Sequence, residues 1–114
     1  MNALRNKVNM IGRLGAKPEI ITVSGGHVLT RFSIAINERK KDKSGAWQND
    51  TQWHTLTAWG KLAENISKFA DKGNEIAIEG RLINKNYQTK DGERRYVSEI
   101  EISDFIVFNL KNEN

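Results

Sequence analysis

The sequence predicts an all-β protein: a five-stranded Greek-key barrel with one α-helix between the third and fourth strands. Three observations predict it. Apolar and polar residues alternate with period two over most of the chain. One segment, Lys61 to Lys72, breaks that rhythm with a helical repeat. Gly-containing turn signals separate the alternating runs. At 114 residues the chain is a single domain. The barrel is expected over residues 1–110, followed by a short polar tail over 111–114.

The first strand runs from Arg5 to Leu14, with Val8, Met10 and Leu14 on one side. Pro18 precedes a short strand, Glu19 to Val23, and Ser24-Gly25-Gly26 turns it into the second strand, His27 to Asn37. There Val28, Thr30, Phe32, Ile34 and Ile36 share one face, and Leu29, Arg31, Ser33 and Ala35 share the other. Lys43-Ser44-Gly45 breaks the stretch before the third strand, Thr51 to Trp59. The helix gathers Leu62, Ala63, Ile66, Phe69 and Ala70 in one stripe at i,i+3 and i,i+4 spacing. Gly60 marks its start and Gly73 its stop, with Lys72 complementing the dipole. Glu75 to Ile83 and Tyr96 to Phe108 supply the last two strands, and Asp91-Gly92 suits the turn between them. This is the element order of an OB-fold barrel, which closes its sheet edges and leaves long loops for binding.

Composition removes several functions. There is no Cys, so no disulfide framework, thiol catalysis or cysteine zinc site. His27 and His54 lie in distant segments, so neither a metal nor a cofactor is expected. No apolar run approaches the ~20 residues of a membrane span. The opening MNALRNKVNM lacks the apolar core of a signal peptide, so the protein is expected to be cytoplasmic. The net charge of +4 is unevenly placed: residues 1–60 carry +5 and residues 61–114 carry −1. Basic groups concentrate in Arg39-Lys40-Lys41-Asp42-Lys43, and again from Arg81 through Lys85 and Lys90 to Arg94-Arg95. Both concentrations are expected in loops.

Trp53 and Trp59 fall on one face of the third strand because their spacing is even. That face otherwise holds Thr55 and Thr57, whereas Leu56 and Ala58 make the opposite face the core candidate. The two indoles are therefore expected on display. Trp47 and Tyr87 fall inside the basic segments, and Tyr96 is expected to pack at a strand start. Aromatics interleaved with Lys and Arg suit single-stranded nucleic acid. Phosphates need cations and unstacked bases need flat π surfaces. A duplex hides its base faces and should bind poorly.

Along nearly its whole length the chain resembles the bacterial single-stranded DNA-binding proteins. Three stretches carry the resemblance: Lys7-Val-Asn-Met-Ile-Gly-Arg-Leu-Gly-Ala-Lys-Pro-Glu19, Thr51-Gln-Trp-His-Thr-Leu-Thr-Ala-Trp-Gly-Lys-Leu-Ala-Glu64 and Lys72-Gly-Asn-Glu-Ile-Ala-Ile-Glu-Gly-Arg-Leu82. The resemblance implies an OB-fold homotetramer that protects single-stranded DNA in replication, repair and recombination. It implies Trp53, Trp59 and Tyr87 as stacking aromatics, and Lys61, Lys72 and Lys85 as basic positions beside the groove. It implies a dimer contact through Lys7 to Leu14, with His54 near subunit contacts. Arg31, Arg39, Lys40, Lys41 and Lys43 complete the expected phosphate contacts. Two departures stand out. The family often has a further stacking aromatic where this chain has Arg39-Lys40-Lys41; Arg39, helped by Trp47, can take that place. Family members usually continue into a Gly-, Pro- and Gln-rich tail with an acidic, hydrophobic tip that recruits replication partners. This sequence stops about where the barrel does, which leaves open a protein without such recruitment or a truncated product.

Other classes fit less well. A nuclease would need clustered carboxylates around metal ions, and Glu99, Glu101 and Asp104 come nearest. A primosomal accessory or RNA-binding OB-fold protein would share fold, charge and salt dependence.

Overall fold

The computed structural model describes residues 5–108. The elements are β1 (Val8–Leu14), β2 (Ile20–Thr22), β3 (Val28–Lys41), β4 (Trp47–Trp59), α1 (Gly60–Phe69), β5 (Glu75–Gln88) and β6 (Arg94–Phe108). Strand pairing runs β1-β5-β6-β4-β3, and β3 returns to β1 through Arg13↔Ala35 and Leu14↔Ile34. Five strands therefore close a barrel, and the short β2 pairs on the outer flank of β3. Because β2 is counted, α1 falls between β4 and β5, which are the third and fourth barrel strands. All pairings are antiparallel except β4 with β6, where Leu56 meets Ile100 and Thr57 meets Glu101.

The core follows from the alternation. Phe32 and Ile34 from β3, Leu56 and Ala58 from β4, Ile76 and Ile78 from β5, and Ile100 and Ile102 from β6 all turn inward. Ala63 and Ile66 from the helix, with Ala70 just past its end, join this core. Emptying such a site, as in Leu56→Ala, costs roughly 2–5 kcal/mol. The long β5–β6 pairing bends at a bulge between Glu79 and Gly80. A side chain at Gly80 would collide with the Glu101 backbone, so only glycine fits that bend.

Several expectations need correcting. The basic segments are not loops. β3 and β4 stay paired out to Lys41↔Trp47, and β5 and β6 out to Gln88↔Arg94, leaving only tight turns at Asp42–Ala46 and Thr89–Glu93. Outside the barrel both faces of each arm meet water, so polar residues suit both faces. Phe69 does not join the buried stripe; it is exposed, and Ala70 takes the inward position. The helix ends at Phe69, earlier than Gly73, with the Ala70 N–H donating to the Ile66 carbonyl at 2.9 Å. Lys68, not Lys72, lies in its last turn. Tyr96 does not pack: it is 72% exposed, opposite Asn86 on the β5–β6 arm. The expected tail over 111–114 lies outside the described residues.

Candidate nucleic-acid interface

Strand β4 displays its aromatics by parity. Trp47, Trp53 and Trp59 are six residues apart, so all three project from one face, roughly 20 Å from one to the next at the usual strand rise. They are 57%, 60% and 41% exposed, and Tyr87 on β5 is 52% exposed. Sequence placed Trp47 in a loop; its membership of the same strand and face is a structural result.

Across the ladder Trp59 faces Leu29 and Trp53 faces Ala35, whereas Trp47 faces Lys41 with Arg39 beside it. The Arg39 guanidinium lies 5.2 Å from the Trp47 ring centroid and the Lys41 ammonium 5.4 Å. Both cations thus lie within cation–π reach of the indole. Lys40 alternates to the other side of the arm, where its Nζ lies 3.5 Å from Asp50, so the structure does not bring it to the aromatic face. Lys43 sits in the Asp42–Ala46 turn, at the tip. Asp42 fixes that turn by accepting from the Ser44 hydroxyl at 2.7 Å, the Gln48 amide at 3.0 Å and the Ala46 N–H at 2.9 Å. These bonds, the Ser44 hydroxyl first, hold its carboxyl down at about 2, from the ordinary 3.8.

Further along β3, Arg31 faces Thr57 across the ladder. Thr57 shares the Trp face by parity but is buried, because Glu99 of β6 covers it. Its hydroxyl donates to Glu99 Oε1 at 2.8 Å. Arg31 Nε approaches Glu99 Oε2 at 3.4 Å, and Lys85 Nζ approaches Oε1 at 3.5 Å. Burial would raise the Glu99 pKa, but the Thr57 hydroxyl and the two cations outweigh it and hold the group below its usual range. Through Glu99 the β3–β4 face runs without a break into the face of β5 that carries Lys85 and Tyr87.

At the other end of β4, Trp59 meets the start of α1. Gly26, His27, Trp59, Lys61 and Glu64 line a cleft of about 440 Å³. The Lys61 ammonium lies 3.9 Å from Glu64 there. His27, which sequence treated only as a poor metal ligand, reaches this cleft from the turn before β3. Lys72 stands apart, on the Asp71–Asn74 turn that is bonded to both Leu14 backbone groups. Gly15, the next residue, underlies Trp53: a Cβ there would come within 2.8 Å of Trp53 Cζ3. Gly12-Arg-Leu-Gly15 was visible in sequence, but nothing there pointed to Trp53.

A second feature lies where β1, β5 and β6 run side by side. Met10, Ile11, Ala77, Ile78, Phe105 and Ile106 line an apolar groove of about 380 Å³. Ile11 and Ile106 are exposed there. Among the described residues, no group of His, Cys, Asp and Glu is arranged to hold a metal ion. Glu99 and Glu101, the nearest to a carboxylate pair, face cations: Arg81 Nη2 lies 3.0 Å from Glu101. Among the described residues, no helix is long and apolar enough to cross a membrane.

Comparison with known proteins agrees with this geometry. The model of the Single-strand binding protein family matches residues 5–108. Single-stranded DNA-binding protein 1 of Chlorobaculum tepidum is 39% identical over 108 residues, covering 94% of this chain and 67% of that protein. The single-stranded DNA-binding protein of Neisseria meningitidis is 37% identical over 109 residues, covering 96% of this chain and 63% of that one. The chain thus spans about two thirds of the length of these curated relatives. Among solved structures, the Plasmodium falciparum SSB in complex with ssDNA superimposes with a TM-score of 0.83 at 29% identity, covering 91% of this chain and 95% of that one. A deletion mutant of the single-stranded DNA binding protein from Thermus aquaticus gives 0.80 at 26% identity, covering 93% of this chain and 51% of that chain.

Proposed function

Because the chain belongs to the single-strand binding protein family, we propose that it binds and protects single-stranded DNA with little sequence specificity during replication, repair and recombination. It acts by binding and not by catalysis. The observation that carries the reading is the row of three exposed Trp on one strand face, flanked by Arg39, Lys41, Arg31 and Lys85. Trp47, Trp53, Trp59 and Tyr87 stack bases. Each stacked base contributes ~1–3 kcal/mol, a range already known for single-strand binders of this family and fold. Arg31, Arg39, Lys41, Lys43, Lys61, Lys72 and Lys85 meet phosphates, and Lys40 contributes least because it faces away. The binding domain is taken as residues 1–110, and the setting as the cytoplasm, on DNA.

The same reading includes a homotetramer built on a dimer contact through Lys7 to Leu14. The apolar groove beside β1, with Ile11 and Ile106 exposed, supports that contact. His54, half-buried on β4, belongs near it. Light scattering after size exclusion gives the mass of the assembly, and a monomeric mass removes the tetramer from the account.

Labelled oligo-dT challenged with unlabelled oligo-dT, duplex DNA and single-stranded RNA tests the function. Single-stranded DNA should displace the probe and duplex should not. Equal competition by duplex overturns the reading. Stacking does not sense the 2′-hydroxyl, so stronger competition by RNA would move the assignment to an RNA-binding OB-fold protein.

A further inference from the structure

We infer that Glu99 is a built-in competitor for DNA phosphate: it holds Arg31 and Lys85 on the binding face and limits how tightly a strand is gripped. The inference rests on the single-stranded DNA reading above. Its ground is the position of a carboxylate where a phosphate-binding surface has no evident use for one. Glu99 is only 8% exposed. It joins four strands, taking Thr57 of β4 at 2.8 Å, Arg31 of β3 at 3.4 Å and Lys85 of β5 at 3.5 Å, while itself on β6.

The distances divide the labour. The Thr57 bond is short and buried, and it anchors the carboxylate where β4 and β6 meet. The two cation contacts are longer than the ~2.7–2.9 Å of a tight charge-assisted bond. Both cations keep about 40% of their side chains in solvent, 40% for Arg31 and 41% for Lys85. They are oriented but not locked. A phosphate reaching either one must share it with Glu99, and the anion repels the phosphate at close range. The three groups leave one net positive charge where two cations stand. Affinity is lowered, and the bound strand exchanges more readily.

The test is Glu99→Gln, measured with oligo-dT by fluorescence anisotropy across a salt series. The amide oxygen still accepts from Thr57, so the strand junction is kept. The expected result is binding about three- to tenfold tighter at about 0.1 M salt. The log–log salt slope should steepen by about 0.7–1.4, one to two phosphate contacts on a single strand. Glu99→Asp, which keeps the charge, should stay near the parent affinity. Parent affinity and slope in Glu99→Gln, or weaker binding in both variants, overturn the inference and leave Glu99 a strand tie. If Glu99→Gln fails to fold, Arg31→Gln decides. A loss of slope below about 0.7 supports the competitor role, and a loss of a full phosphate contact overturns it. Failure of the parent protein to bind oligo-dT at all would instead overturn the functional reading.

Discussion

Beyond the barrel, β3–β4 and β5–β6 each extend as a basic antiparallel arm closed by a tight turn. The turns are alike: Asp42 N–H donates to the Ala46 carbonyl at 2.9 Å, and Thr89 N–H to the Glu93 carbonyl at 2.8 Å. The charges are used differently. On the first arm, Arg39 and Lys41 stack on Trp47, and among the described residues no carboxylate pairs with them or with Lys43. On the second, Arg81 pairs with Glu101 at 3.0 Å, Lys85 with Glu99 at 3.5 Å and Arg95 with Glu93 at 3.1 Å. The first arm and its strand carry the three Trp, and the second carries Tyr87 on the matching face. Counting Lys and Arg alone favours the second arm, with Arg81, Lys85, Lys90, Arg94 and Arg95 against Arg39, Lys40, Lys41 and Lys43. Counting unpaired cations beside open rings makes the first the main binding element and the second a weaker clamp.

The largest expected effect separates the two by stacking. Trp53→Ala or Trp59→Ala should weaken oligo-dT binding roughly five- to 150-fold, the ~1–3 kcal/mol stacking range. Tyr87→Ala should fall at or below the low end of that range, as measured by anisotropy. A Tyr87 loss larger than either Trp loss would reverse the ranking of the arms. Next comes charge. Replacing Arg39 and Lys41 together with Gln should reduce the salt slope by up to about 1.4. Arg95→Gln or Lys40→Gln should each change it by less than half a phosphate contact, about 0.3. Equal slopes for free and paired cations would remove the distinction.

Smaller effects test how the face is built. Gly15→Ala would push on Trp53 at its ring edge, not on backbone, so the indole should tilt while the fold survives. Affinity should fall about two- to fivefold with a Tm change of no more than about 2 °C, as overpacking relieved by an exposed ring is mild. A large Tm loss with unchanged affinity would show that Gly15 serves the barrel instead. Smallest is Asp42→Ala, which should speed hydrogen exchange at Ser44 and Ala46 while leaving the barrel protected. The Asp42 carboxyl is lowered in the folded state to about 2, so its stabilisation is complete above 3.8 and fades as pH falls through about 2. Protection of those two amides, relative to their intrinsic exchange at each pH, should fall across that window in the parent and stay flat in the variant.

Most of the barrel was legible because burial of one face imposes a period. β3 from Val28 to Ile36 and β4 from Thr51 to Trp59 alternate as their faces demand. The arms were not legible. Arg39-Lys40-Lys41 and Asn84-Lys85-Asn86 have solvent on both sides, so their strands carry no apolar alternation and read as loops. That one misreading hid the place of Trp47 in line with Trp53 and Trp59. Phe69 and Tyr96 failed for the opposite reason: an aromatic at a plausible core position need not be buried. Glu99 was visible as a residue and invisible as a partner, since nothing local ties it to Arg31, Thr57 or Lys85. The reading of Trp53 and Trp59 as displayed succeeded because Leu56 and Ala58 between and beside them claim the core.

The central claim is that the indole row of β4 meets unpaired bases. Intrinsic Trp fluorescence, titrated with oligo-dT and with matched duplex at two salt concentrations, tests it directly. The account predicts strong quenching by oligo-dT alone, shifted to higher DNA concentration at the higher salt. Equal quenching by duplex, or binding of oligo-dT without quenching, would contradict it.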